Sequence, residues 1–302
     1  MDGIINLNKP AGITSYGAIR SLKKICNEKK MGHLGTLDPM ATGVLPIFLG
    51  KMTKLIPHFN EGDKGYIAEL TLGASSSTLD KEGELTSWPI PDGLTEEQVK
   101  ARLLEFLGDI EQIPPMYSAI RQDGKRLYEL ARAGEEVERK PRKVRIIDIS
   151  KIEVNLPVIK FEVTCSKGTY IRTLAADLGE RLGTAAYLSG LTRHLVGDCF
   201  KLEDTVSLDQ LENLDHTDLL RFCTNPADLL EQWNQWIPKS PADIEALSHG
   251  NRVSVAVEEL GALKPSEARC FVTDEKQQIL CVGTLEFSQE SPIFFQPTKV
   301  LV

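Results

Sequence analysis

The sequence is short of the features that mark membrane, metal and secreted proteins. No apolar run in the 302 residues approaches the ~20 residues that a membrane-spanning helix needs. The opening MDGIINLNKP lacks the basic region, apolar core and small-residue cleavage site of a signal peptide, so a cytoplasmic location is expected. Cys26, Cys165, Cys199, Cys223, Cys270 and Cys281 form no CxxC pair, and the five histidines fall in no HExxH or Cys–His spacing. No zinc site is expected, and the thiols read as reduced, small hydrophobes. Internal repeats and low-complexity segments are also missing.

A composition of 41% hydrophobic and 26% charged residues supports a packed core rather than disorder. The length exceeds what one core usually serves, so one large and one small domain are expected. The net charge of −8 argues against a uniformly basic nucleic-acid binder, but the charge is unevenly spread. Residues 1–60 hold eight Lys/Arg against three acids, giving 8 − 3 = +5; residues 121–145 hold nine against five, giving +4. Residues 201–231 hold two bases and eight acids, giving −6. Each basic stretch alone is readable as a solvated face, with contact to a phosphate-bearing partner as the alternative.

Residues 4–8 form a short strand candidate, and Thr14-Ser15 can cap a helix with Ala18, Ile19, Leu22 and Ile25 at helical spacing. Residues 66–72 alternate as a half-buried strand with Tyr66, Ala68, Leu70 and Leu72 on one face. Further helices are expected over 95–107, over 124–133 and after Thr169, the cap of the last. Residues 143–149 and 151–164 read as paired strands. The proline-containing stretch 233–243 is the best domain boundary, and β-rich runs at 253–257, 268–273, 279–283 and 293–302 predict a small barrel-like module. Strands that come in hairpin-like pairs make the class α+β.

The chemistry is concentrated in a few stretches. In HLGTLDPMATG (residues 33–43), glycines permit close backbone approach and Pro39 confines Asp38 to an extended or turn conformation. The carboxylate is either a structural turn residue or a group presented at the lip of a cleft. Arg172, in CSKGTYIRTL, falls in a first helical turn, where the dipole disfavours a cation, so it calls for a partner such as a buried carboxylate; a plain surface Arg is the alternative. Tyr66 alone reads as a core aromatic.

Together the stretches NLNKPAGITS, GHLGTLDPMATGVLP, GYIAELTLGASSSTLDKEG, QIPPMYSAIRQDGKRLYELARAG and CSKGTYIRTLAADLGERLG resemble the successive motifs of the TruB family, bacterial tRNA pseudouridine synthases that modify uridine 55 in the TΨC loop. The resemblance spans about residues 3–200. It implies a catalytic domain over 1–238 with a mixed, mainly antiparallel sheet flanked by helices and loops, and a PUA-like RNA-binding module over 239–302. It implies Asp38 as the catalytic carboxylate, attacking C1′, abstracting a proton at C2′ or adding to C6 of the base, with Arg172 as its ionic partner. By the same resemblance Tyr66 stacks on the target base, His33 fills the space that the flipped base vacates, and Leu191 walls the pocket. Lys9 and Pro10 support the catalytic loop. Segment 121–145, with Arg142 and Lys143, becomes an RNA-clamping insertion. The partner is tRNA, through its T-arm and the acceptor stem; no cofactor, metal, membrane or obligate protein partner is implied, and the chain is expected to be a monomer. Two departures stand out: Asn8 where the family usually has Asp, and Gly65 where a basic residue commonly precedes the tyrosine, which removes one bond to phosphate. Competing readings are an RNA-binding protein with a vestigial site and a nucleosidase that releases uracil.

Overall fold

Helix α1 (Ser15–Cys26) starts where the Thr14 side chain accepts the Gly17 amide, 2.9 Å away. Its buried residues Ser15, Ala18, Ile19, Leu22 and Cys26 recur at three- and four-residue spacing, and Asn27 ends it in the left-handed conformation. A computed structural model of the protein describes residues 1–59, 62–118, 120–122, 124–260, 268–287 and 293–302, with only the backbone of Arg126. The strand β1 (Gly3–Lys9) precedes α1, and β2 (Met31–His33), β3 (Thr42–Leu49) and β4 (Lys64–Leu72) follow it. In β4 the alternation is met: Tyr66, Ala68, Leu70 and Leu72 are buried, and Ile67, Glu69 and Thr71 are less so.

Next come α2 (Glu96–Leu104), β5 (Gly108–Gln112), β6 (Arg142–Asn155), β7 (Val158–Cys165), α3 (Ile171–Arg181), β8 (Ala186–Val196) and the short β9 (Phe200–Lys201). They build one sheet in the order β1-β3-β8-β4-β7-β6-β5, with β2 added to β3 and β9 to β8. Every pair is antiparallel except β3–β8, which runs parallel through Thr42/Thr192 and Gly43/Arg193. That junction brings the loop carrying Asp38 onto the centre of the sheet.

A second sheet has the order β10-β12-β13-β14-β11, from β10 (Asn234–Trp236), β11 (Val253–Val255), β12 (Arg269–Thr273), β13 (Ile279–Glu286) and β14 (Ile293–Val300). Its interior is apolar, around Trp236, Val272 and Phe295. The two sheets share a core of Phe48, Val196 and Phe200 on one side and Trp233, Phe271 and Leu301 on the other. Residues 233–243 therefore hold the first strand of the second sheet as well as two prolines.

Several local expectations shift. Helix α2 has the Thr95–Gln98 capping box and stops at Leu104, not 107. The helix expected over 124–133 shortens to Leu127–Arg132, because a hairpin of Arg121–Gln122 and Lys125–Arg126 takes its first residues. Strand β6 runs straight through the turn expected at 150 and reverses at Leu156-Pro157; a bulge at Lys151 (φ 49°) absorbs the irregularity. Thr169 is not the cap of α3. Its hydroxyl donates to the Ser166 carbonyl (2.9 Å), and Tyr170 occupies the cap position with no side-chain bond.

Candidate active site

Asp38 lies between β2 and β3 in a loop held from three directions. Ser15 Oγ accepts the Leu37 amide (2.8 Å) and donates to the Leu37 carbonyl (3.1 Å), and the Gly12 amide donates to Pro39 O (2.9 Å). Lys9, fully buried at the end of β1, donates from Nζ to the carbonyls of Pro10 (2.7 Å), Ile13 (2.8 Å) and Pro39 (3.2 Å). Burial pulls its ammonium down to about 8, against the field of Asp38. Lys9 thus fastens the segment leading to α1 onto the residue after Asp38.

Arg193, 1% exposed on β8, donates from Nε to Val44 O (2.8 Å) and from NH2 to Gly35 O (3.0 Å). These carbonyls are the two shoulders of the Asp38 loop. Arg193 and Tyr66 are also cross-strand partners, and the field of the guanidinium acts on the Tyr66 phenol on the neighbouring strand. Gly43 permits this approach. Its φ is 98°, and a Cβ there would stand 2.2 Å from the Arg193 carbonyl. Burial lifts the Tyr66 phenol to about 12, with Arg193 opposing, so the ring keeps its proton at neutral pH.

Arg172 supplies the partner that its place in a first helical turn demanded. Its Nε meets Asp38 Oδ2 at 3.0 Å and its NH2 meets Oδ1 at 3.1 Å, a two-pronged pair. NH1 lies 3.6 Å from Asp80 Oδ2 and donates to Thr78 O (3.2 Å), and NH2 also donates to Tyr117 O (2.8 Å). Arg172 and Asp80 side chains are 5% and 4% exposed; 30% of the Asp38 side chain is open. The carboxylate nonetheless sits deep enough that burial raises its pKa above the ordinary value, with Asp80 adding to the rise and Arg172 and Lys9 opposing it. One guanidinium therefore joins four segments and offers Asp38 to solvent as an oriented group.

The other expected residues divide. His33, in β2, has a buried Nδ1 with no hydrogen-bond partner among the described residues, and burial followed by Arg193 holds its pKa down. Leu191 is half-buried against the main core. Arg142 and Lys143 are exposed at the start of β6, opposite Gln112 and Glu111, so the end of segment 121–145 is anchored in the main sheet. At Gly65 the ring of His194 fills the missing side chain's place, since a Cβ would lie 2.6 Å from it. Among the described residues no cluster of His, Cys, Asp and Glu could hold a metal, and no helix is long and apolar enough to cross a membrane.

Asp80 and Arg193 escaped the sequence reading. An Arg in an alternating strand and an Asp in a polar turn look exposed; only the fold buries them. A signal was present in both cases, since Asp80 stands inside the stretch GYIAELTLGASSSTLDKEG and Arg193 lies two residues after Leu191.

Comparison with known proteins identifies relatives of the chain and of its fold. Residues 23–171 match the family model described as TruB family pseudouridylate synthase, N-terminal domain. Over 305 residues, covering 99% of this chain and 98% of the relative, the sequence is 41% identical to tRNA pseudouridine synthase B of Syntrophomonas wolfei. It is 43% identical to the protein of that name from Dechloromonas aromatica, over 84% of both chains. A solved structure described as a Cbf5–Nop10–Gar1 complex contains a chain that superposes with TM-score 0.70 at 25% identity, over 99% of this chain and 85% of that one. The α+β architecture with a β-rich, PUA-like C-terminal sheet is shared with it. A sequence this similar along its whole length, folded in this way, belongs to the TruB family of pseudouridylate synthases.

Proposed function

We propose that the protein converts uridine 55 in the TΨC loop of tRNA to pseudouridine, with Asp38 as the catalytic carboxylate. The observation that carries the reading is the two-pronged Asp38–Arg172 pair, buried on the arginine side and open on the aspartate side. A structural ion pair has no need of an open carboxylate. The reaction breaks N1–C1′, turns the uracil and joins C5 to C1′; N1 ends protonated and the C5 proton leaves. Uracil departs as a delocalised anion, so one carboxylate suffices where glycosidases use two. Arg172 keeps the anionic form accessible and fixes its direction, whether Asp38 attacks C1′, takes a proton at C2′ or adds to C6.

The remaining roles are those that the family resemblance implies. Tyr66, ring on the buried face and hydroxyl beside Arg193, stacks on the flipped base, and its hydroxyl assists removal of the C5 proton. His33, at the edge of the loop, takes the place that the base leaves, and Leu191 forms the pocket wall. Lys9 serves as a fastening, not a reactant. Arg142 and Lys143 contact phosphates of the T-arm. Residues 1–238 act as the catalytic domain, and 239–302 as a PUA-like module reaching towards the acceptor stem. We take the protein to act in the cytoplasm as a monomer without cofactor or metal. Nucleoside mapping of an unmodified tRNA transcript tests this: pseudouridine at position 55 and nowhere else is expected. Free uracil as the product would make the protein a nucleosidase, and modification at another position would overturn the assignment of its site.

A further inference from the structure

The outer side of α1 plays no part in the chemistry above. At about 100° per residue, its buried residues cluster on one side of the helix. Tyr16, Arg20, Lys23 and Lys24 then all fall within one sector of about 100° on one shoulder, and the opposite shoulder carries Gly17, Ser21 and Ile25. Tyr16 is 68% exposed, more than any other large hydrophobic residue described. No acid occurs between Asp2 and Glu28. Among the described residues no carboxylate pairs with Arg20, Lys23 or Lys24.

Lone exposed aromatics are common, and lysines in a last turn suit the helix dipole. Neither point accounts for Arg20 in mid-helix, where its like-charge neighbours three and four residues on weaken the helix. The shoulder is also fixed in place relative to the site. Ser15, the residue before Tyr16, is bonded to both backbone groups of Leu37, next to Asp38. From Tyr16 to Lys24 the helix rises about 12 Å, the rise of three to four stacked nucleotides.

We propose that this shoulder is a second contact surface for the substrate RNA: Tyr16 stacks on a nucleotide flanking the target uridine, and Arg20, Lys23 and Lys24 take phosphates of the strand leading away from it. The proposal rests on RNA being the substrate. Aromatic faces accept any base, and cations along a helix track a backbone without reading its sequence.

The test measures binding of an unmodified tRNA transcript across a range of salt concentrations, with single-turnover rates at saturating RNA. R20Q/K24Q should weaken binding roughly tenfold at low salt and reduce the salt slope by between about one and two, with the single-turnover rate unchanged. R20K/K24R should bind like wild type. Y16A should weaken binding several-fold while Y16F does not. An unchanged slope in R20Q/K24Q, or an equal loss in the control K201Q/R221Q, which removes the two bases of the acidic stretch 201–231, would overturn the proposal. So would a loss of binding in R20K/K24R. A wild-type protein that fails to bind the transcript would instead defeat the RNA reading itself, which separates the two failures.

Discussion

The two sheets solve the problem of an interior in opposite ways. Around Asp38 the protein buries Lys9, Asp80, Arg172 and Arg193, each bonded to carbonyls or to a counter-charge. Among the described residues the second sheet buries no ion: its core is aliphatic, aromatic and thiol, with Asn234 and Thr273 as buried neutral polar groups. Burying an ion costs several kcal/mol before its partners offset it, and apolar residues of similar volume hold a fold together as well or better. The ions of the first region are therefore poorly explained by stability. What they provide is direction: three cations converge on one short loop and leave one carboxylate open.

The comparison breaks if charge removal in the first region behaves like cavity creation in the second. Arg172→Gln strands Asp38 and Asp80 without a counter-ion, so a loss of about 3–5 kcal/mol in denaturant unfolding is expected, with kcat down at least about 10³-fold. Arg172→Lys retains the charge and loses the fork; kcat should fall about 10²-fold at nearly constant KM. In the second sheet, Phe295→Ala empties a fully buried site and should cost about 3–5 kcal/mol in the same assay. Its single-turnover rate should match wild type at temperatures where it stays folded, and an equal collapse of kcat would erase the distinction.

A pH profile sharpens it. Burial raises the Asp38 pKa, and the proposed reaction uses its anion, so the rate should fall with falling pH at a higher pH than for an ordinary carboxylate. Arg172 opposes the rise; in Arg172→Lys, whose weaker pairing favours the anion less, the acid limb should move further up. An acid limb that stays put would deny the guanidinium its electrostatic role. The smallest effect belongs to the exposed bases of β6. Neutralising Arg142, Lys143 and Arg145 should weaken RNA binding and flatten its salt dependence by roughly one for each phosphate no longer neutralised, with kcat intact. An unchanged salt slope would mark them as a solvated face.

Local physics was legible in the sequence where a rule acts within a few residues. The helical spacing of α1, the alternation of β4 and the cap at Thr95 were all readable. Errors arose where a distant partner competes. Thr169 looks like a cap, but its turn takes the hydroxyl and Gln112 holds the amide of Tyr170. The turn expected near residue 150 gives way to a continued ladder with β7. Within the site, Asp38 and the need of Arg172 for a partner were readable, because glycine, proline and the helix dipole are local matters. That Asp80 shares the guanidinium, and that Arg193 grips both shoulders of the loop, depends on contacts spanning about 90 and 150 residues of chain, which no spacing rule carries.

The central claim is that Asp38 is the group that does the chemistry. Its most direct test is tritium release from unmodified tRNA labelled at C5 of its uridines, with wild type beside Asp38→Asn. One equivalent released by wild type without free uracil, and none by a variant that still binds tRNA, is the predicted result. Release by Asp38→Asn at a rate comparable to wild type would contradict it.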